Sequence, residues 1–540
     1  MNKYKMVLVV LIALAGLLPA LLFSQVDTAW VRRYNGLGNS YDYARSLAVD
    51  GQGNVYVTGG SYGSGNNWDY ATIKYNSVGD TIWVQRYNGP GNGWDEAYSL
   101  AVDGQGNVYV TGRSVGSGTY SDYATIKYNT NGVQQWVQRY NAPGTGNRYD
   151  YAYALALDGQ GNVYVTGYCG TSIFGSDDYA TIKYNSLGVQ EWVQTYNGPG
   201  NDNDRAYALA VDVQGNVYVT GYSWGSGTNY DYATIKYDSA GVEQWVQRYN
   251  GPGNDYDNAR SLAVDGQGNV YVTGESYGSG TSDDYATIKY NSVGDTIWVQ
   301  RYNGPGNGSD EAYSFAVDGQ GNVYVTGRSG YYPNYDYATI KYNSAGVEQW
   351  VQRYNGPGDT GDEAKALAID AQGNVYVTGY SAGSGTSDDY ATIKYNSAGV
   401  EQWVQRYNGP GNSNDRAYAL AVDGQGNVYV TGYSGSGTSA DYATIKYVQT
   451  AGINELIGSG NGELRVSVYP NPARNYFTVR IPQSADRSEV KIFDVTGKAV
   501  KELESFRVGE LRVSLDGIKN GIYFVKVNDV MVREKLVVTR

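Results

Sequence analysis

The 540 residues contain no histidine, which removes every Ser-His-Asp or Cys-His nucleophile and every histidine-ligated metal site. The one cysteine, Cys169, lies in "GYCGTSIFGSDDY" without a base partner, so it reads as a buried or incidental thiol rather than a nucleophile. Carboxylates remain for acid and base chemistry, and eight of them recur at one place. Asp42, Asp95, Asp150, Asp204, Asp257, Asp310, Asp362 and Asp415 each stand two residues before an alanine that opens an inner strand. Arranged round a channel mouth, such a ring offers calcium or another hard cation the oxygen ligands it needs. The other reading is that each aspartate caps its own turn. Glycoside hydrolysis needs a particular pair of carboxyls about 5 to 10 Å apart, and no repeat carries an evident acid pair that sets it apart from its sisters.

Aromatic residues offer recognition instead. Trp68, Trp94 and Trp224 fall outside the repeated pattern, as do Tyr120, Tyr149, Tyr256, Tyr331 and Tyr332, with Tyr41, Tyr62, Tyr230 and Tyr335 beside them. Next to Asp and Asn, such rings stack on sugars while polar neighbours read hydroxyls, and they equally anchor a protein partner. The competing account is that these loops simply pack on themselves.

The elements that hold these residues are repeats. The core "NVYVTG" ends at Gly59, Gly112, Gly167, Gly221, Gly274, Gly327, Gly379 and Gly432, and "DYATIKY" and a tryptophan strand "WVQRYN" recur beside it. In the second repeat four short strands are expected, Ser99 to Val102, Asn107 to Thr111, Tyr123 to Tyr128 and Gln134 to Asn141, separated by Gly, Asn, Asp and Pro. Four antiparallel strands per repeat make a propeller blade. Because strand side chains alternate, Val55 and Val57 face one neighbouring blade and Tyr56 and Thr58 the other. The chain opens on a tryptophan strand at Trp30 and its last repeat stops after Tyr447 without one. The first strand therefore completes the last blade, and eight blades close by pairing of the two ends rather than leaving open sheet edges. An 18-residue stretch at 76–93 recurs letter for letter at 291–308, so variation is confined to loops on one face of the ring.

The pattern "A-x-x-x-D-x-x-G-N-x-Y-x-T-G … D-x-x-x-x-K-Y", repeated from about Trp30 to Tyr447, resembles the SBBP-type β-propeller repeats. That family name implies seven blades, whereas eight are counted here. After Tyr447 a small-residue linker, 448–465, leads to "VYPNP", "EVKIFDVTGKAV" and "GIYFVKV". These motifs resemble the type A sorting domain of the type IX secretion system, an accessory immunoglobulin-like module being the other reading. The resemblance implies passage across the outer membrane by way of the secretion machinery, and release or attachment at the cell surface. Residues 466–540 have the length and alternation of a small β-sandwich.

At the other end, Lys3 and Lys5 precede an apolar run broken near its end by Gly16 and Pro19, the pattern of an export signal over residues 1–24. The run is long enough that a retained anchor is the alternative, and no second stretch could span a bilayer. With one cysteine no intramolecular disulfide can form. The net charge of −13 is concentrated in the repeats, the tail being basic, so the body repels phosphate backbones and nucleic acid is not an expected partner. The expectation is an all-β chain: an eight-bladed propeller at 25–447, closed by its terminal strands, then the sorting domain, exported through the periplasm as a monomer. No cofactor is expected beyond the calcium that the aspartate ring leaves open. The expected role is a non-catalytic one, binding glycan or a surface protein through the variable loops. The alternatives are a polysaccharide lyase or hydrolase on the same scaffold and a purely structural surface protein.

Overall fold

The computed structural model describes residues 25–450, except 64, 66, 144–147 and 171–175, together with the strands between 467 and 538 and some of their connecting residues. The leader, most of the linker, and parts of the "YPNP" and "DVTGK" motifs lie outside the described residues. The chain divides into two compact units, Met1–Gly452 and Ile453–Arg540.

The first unit is eight four-stranded antiparallel sheets, each in sequence order from an innermost strand outward. Blades 1 to 7 span residues 42–87, 96–140, 151–196, 204–249, 257–302, 309–354 and 362–407. Blade 8 takes three strands from 415–450 and its outer strand, Gln25–Tyr34, from the start of the chain. This pairing runs from Gln25 opposite Thr450 to Tyr34 opposite Tyr442, so the last strand continues three residues past Tyr447. The innermost strands meet round a closed ring, blade 8 returning to blade 1.

Each letter of the repeat has a physical task. Asp50 accepts the amides of Gln52 and Asn54 at 2.9 Å each, and its second oxygen takes the Asn54 side chain at 2.7 Å and the Tyr56 hydroxyl at 2.9 Å. Gly53 sits at φ 77°, the left-handed region that suits glycine in this turn. In "DYATIKY" the first tyrosine is fully buried and donates to the next blade's alanine carbonyl, as from Tyr70 to Ala124 at 3.1 Å. The same bond from Tyr442 to Ala71, 3.2 Å long, crosses the closure. Val55 and Val57 pack toward Tyr429 and Tyr442 of blade 8, while Tyr56 joins Val108 and Val110 of blade 2, as the alternation predicts.

The glycine that ends "YVTG" answers to a β-bulge. Every innermost strand shifts register at the third residue after its repeated aspartate, Tyr98 in blade 2, between Ala97 and Ser99. The shift pushes the Glu96 carbonyl toward Gly112 so closely that a methyl group there would overlap it. The innermost strand of blade 2 therefore runs Glu96–Val102, starting three residues before the expected Ser99. The bulge breaks the alternation by which the sequence shows a strand.

The second unit holds two antiparallel sheets, one of three strands and one of four. No helix among the described residues is long and apolar enough to cross a membrane.

Candidate functional site

The loops after the second and fourth strands of each blade emerge on one face and carry the expected aromatic residues. Trp94, Tyr120, Tyr149, Tyr256, Tyr331 and Tyr332 are exposed there, Tyr332 by 86%. Trp68 and Trp224 are half-buried. The structure does not gather the three tryptophans in one patch. Trp68 and Trp94 lie at the junction of blades 1 and 2, where the Asp95 amide donates to the Trp68 carbonyl at 2.8 Å. Trp68 also lies 5.1 Å from the Tyr43 ring. Trp224 stands in blade 4, 4.9 Å from Tyr230. Space for Trp68 comes from Gly60, where a Cβ would run into the indole and where sister repeats carry Arg113, Tyr168 or Tyr222.

The rings do form a continuous path. Tyr120 and Tyr149 meet at 4.9 Å, and Tyr149 passes to Tyr151 at 5.9 Å and on to Tyr168 at 5.1 Å. From there the path crosses Tyr153 to Tyr207, 5.1 Å apart, then Tyr222 and Tyr230, and ends on Tyr256 at 5.4 Å. It runs inward from exposed loop tips, along the mouth of the central channel, and out again two blades on. Tyr331 donates its hydroxyl to the Gly306 carbonyl, tying it down in blade 6.

The eight repeated aspartates, Asp42 to Asp415, are buried in their own blades. In Asp42 one oxygen accepts the Gly36 amide at 2.7 Å and the other the Tyr62 amide at 3.1 Å, so the carboxylate pins the incoming loop to the second strand. Among the described residues no three Asp, Glu or Cys side chains gather closely enough to hold a metal ion. Burial outweighs these hydrogen bonds and raises the carboxyls, to about 6 in Asp95, Asp204, Asp257 and Asp362 and to about 7 in Asp150. Asp150 is the one whose neighbouring serine is replaced, by Cys169. That thiol is fully buried, and burial pushes it well above the ordinary thiol range.

A second set of residues went unrecognised in the sequence. The residue after the repeated aspartate runs Tyr, Glu, Tyr, Arg, Asn, Glu, Glu, Arg from Tyr43 to Arg416, and the bulged residue two further on runs Arg, Tyr, Tyr, Tyr, Arg, Tyr, Lys, Tyr from Arg45 to Tyr418. These side chains meet their counterparts in neighbouring blades, as where Arg45 reaches Glu96 at 2.9 Å or lies over Tyr418 at 5.2 Å. The signal was available: these positions vary while their neighbours repeat almost unchanged. It was hidden because the bulge moves them out of the alternating pattern.

In blades 6 and 7 the set becomes a connected network. Arg328 bridges Glu311 at 2.5 Å and Glu363 at 2.9 Å, Lys365 reaches Glu363 at 2.6 Å, and the Tyr313 hydroxyl donates to Glu311 at 2.7 Å. This acid pair sharing one arginine sets blades 6 and 7 apart from the others, contrary to the even distribution expected from the sequence. Opposite charges hold Glu363 below its ordinary carboxylate range, while burial lowers the Lys365 ammonium.

Among solved structures, the chain is similar to Sqt1 from Chaetomium thermophilum bound to the N-terminus of the ribosomal protein L10. That match has 8% identity and a TM-score of 0.49, over 78% of this chain and all of that one. It is also similar to a family PL25 ulvan lyase, with 11% identity and a TM-score of 0.37 over 70% of this chain and 95% of that one. A third is the β-propeller domain of the trilobed protease from Pyrococcus furiosus, with 7% identity and a TM-score of 0.38 over 65% of this chain and 93% of that one. No curated protein matches. The family model for a secretion system C-terminal sorting domain matches residues 467–539. The model for the β-propeller repeat matches eight segments, the first 29–66 and the last 402–437, one to each tryptophan strand and the inner strands that follow it. The chain belongs to the β-propeller repeat family, as an eight-bladed member that carries a type IX sorting domain and is exported to the cell surface or secreted.

Proposed function

We propose that the propeller is a non-catalytic binding module that takes up a glycan on its variable face. The observation that carries this reading is the unbroken path of rings from Tyr120 to Tyr256, with exposed tyrosines at both ends. Rings 4.5 to 7 Å apart with their outer members open to water form a platform on which successive sugar rings stack. Core packing does not require the outer members, since the blades already bury a repeated tyrosine and tryptophan set beneath them. The sorting domain engages the secretion machinery and delivers this face to the exterior, where glycans are met.

The test is a glycan-array screen of residues 25–540 beside a Tyr120→Ala, Tyr149→Ala, Tyr256→Ala triple variant with an unchanged melting temperature. Binding that falls at least tenfold in the variant supports the reading. A wild-type protein that binds no glycan, or equal binding by both proteins, overturns a role for these loops. Enzymatic turnover of a bound glycan, lost on changing Glu311 or Glu363, would favour the hydrolase reading, whose one supporting observation is their shared arginine.

A further inference from the structure

We infer that the mouth of the central channel is itself a saccharide site, built for a neutral sugar unit and closed to uronic or sulfated ones; this rests on the glycan-binding reading above. The channel walls differ from side to side. Blades 2 to 4 present an unbroken run of tyrosines beside Glu96 and Arg205, with Tyr153 lying 5.4 Å from Tyr98 and 5.1 Å from Tyr207, whereas across the ring Lys365 interrupts Tyr313 and Tyr418. Since the innermost strands form a closed ring of eight, blades 6 to 8 stand across the channel from these. They present the network of Glu311, Arg328, Glu363 and Lys365, and then Arg416 bound to Asp388 at 2.6 Å. A stacking wall facing a wall of hydrogen-bonding groups is what a sugar ring requires, its apolar face meeting one and its hydroxyls the other.

The pairing decides the charge of the ligand. An acidic sugar needs a cation free to receive it. Arg205 is held by Asp177 at 2.6 Å, Arg260 by Glu275 at 2.7 Å, and Arg328 and Lys365 by their glutamates. The imbalance is local: Arg45 and Arg113 share one glutamate, Glu96, where blades 1 and 2 meet, whereas the meeting of blades 5 and 6 is acidic. Asp177 and Asp388 each meet an arginine, Arg205 or Arg416, supplied by the next blade directly after its repeated aspartate. Asp283 occupies the same place in blade 5, but blade 6 supplies Glu311. The Ser309 hydroxyl lies between them, 3.1 Å from Asp283 and 3.4 Å from Glu311. Burial and the neighbouring glutamates raise Asp283 to about 6. The blade 5 and 6 side of the mouth thus has a surplus carboxyl, which receives hydroxyl donors and repels anionic sugars.

Two substitutions borrowed from sister repeats test this, the first made together with Arg328→Tyr, the residue of blades 4 and 8, because Arg328 bridges Glu311 and would otherwise face a second guanidinium. Glu311→Arg places in blade 6 the residue that blades 4 and 8 carry, and gives Asp283 a cation. Tyr153→Lys places in blade 3 the residue of blade 7 and removes the central stacking ring. Both are run on residues 25–540 against neutral and acidic oligosaccharides, with thermal melting to confirm the fold. The expected result is wild-type binding to neutral glycans, weakened at least tenfold in each variant, with acidic glycans gaining affinity in Glu311→Arg. Unchanged neutral binding in both folded variants, with loss in the triple tyrosine variant, overturns the channel site and leaves the outer loops as the binding surface. Wild-type preference for uronic or sulfated glycans overturns the charge assignment. A wild-type protein that binds no glycan overturns both readings.

Discussion

At the scale of single residues, one geometry serves two carboxylate populations with opposite pH behaviour. The inner-strand aspartates are raised by burial, Asp150 to about 7 and Asp95 to about 6, against about 3.9 in an unfolded chain. A raised carboxyl contributes stability that is complete below about pH 4 and lost as pH climbs through its folded value. The turn aspartates Asp50, Asp158, Asp265 and Asp318 are lowered by the amides, asparagine and tyrosine that bond them. Their contribution is present above about pH 4 and lost below it. Together the two sets predict greatest stability in mild acid. The melting temperature should rise between pH 7.5 and pH 5 and fall again below pH 4. A melting temperature that falls steadily from pH 7.5 to 5 would show that the inner aspartates are ionised in the fold and their raised values wrong.

At the scale of the element, blade 3 breaks a rule the other blades keep. Arg86 on an outer strand donates to Ser61 at 2.6 Å, pairs with Asp69 at 2.8 Å, and reaches the Tyr34 hydroxyl of the preceding blade at 3.0 Å. Arg248, Arg301 and Arg406 repeat the set. Blade 3 has Thr195 for the arginine and Cys169 for the serine, so the link to Tyr140 of blade 2 is missing. Both partners changed together, as expected where a lone serine hydroxyl or a lone arginine would be left buried without the other. Hydrogen exchange should therefore be fastest in the outer strands of blade 3. Cys169→Ser with Thr195→Arg should slow it and add about 1 to 2 kcal/mol, whereas either change alone gains nothing or destabilises. Independent, additive effects in a double-mutant cycle would refute the coupled network. The same comparison shows what was legible in the sequence. The blade count, the turn aspartates and the inward alternation of Val55 and Tyr56 follow from turn chemistry and period two, both local. The channel residues were not legible, because a bulge at Tyr98 and its equivalents breaks that period. Their partners, such as Glu363 for Arg328, come from another blade.

At the scale of the whole molecule, stability hangs on one join between residues more than four hundred positions apart. The strand Gln25–Tyr34 completes blade 8 through its ladder, from Gln25 opposite Thr450 to Tyr34 opposite Tyr442. Its side chains reach both ways round the ring. Trp30 donates to the Ser77 carbonyl of blade 1 at 3.3 Å, and Arg33 reaches Ser434 at 2.6 Å and Asp441 at 3.0 Å within blade 8. Removing 25–34 exposes a sheet edge on blade 8 and uncovers Trp30's neighbours Tyr75 and Tyr429, buried at 2% and 0% exposure. Burial of side chains this large contributes on the order of 2 kcal/mol each, so the loss is many times that of a surface truncation. Removing 453–540 takes away a separate compact unit and breaks no strand pairing of the ring. The first truncation should therefore lower the melting temperature of the propeller by more than 10 °C or abolish its cooperative transition, while the second shifts it by less than about 2 °C. Matching melting curves for the two truncations would show that the ring holds together blade by blade without its closure. If the expected difference is found, the cooperative stability of the whole ring rests on the pairing of residues 25–34 with 442–450.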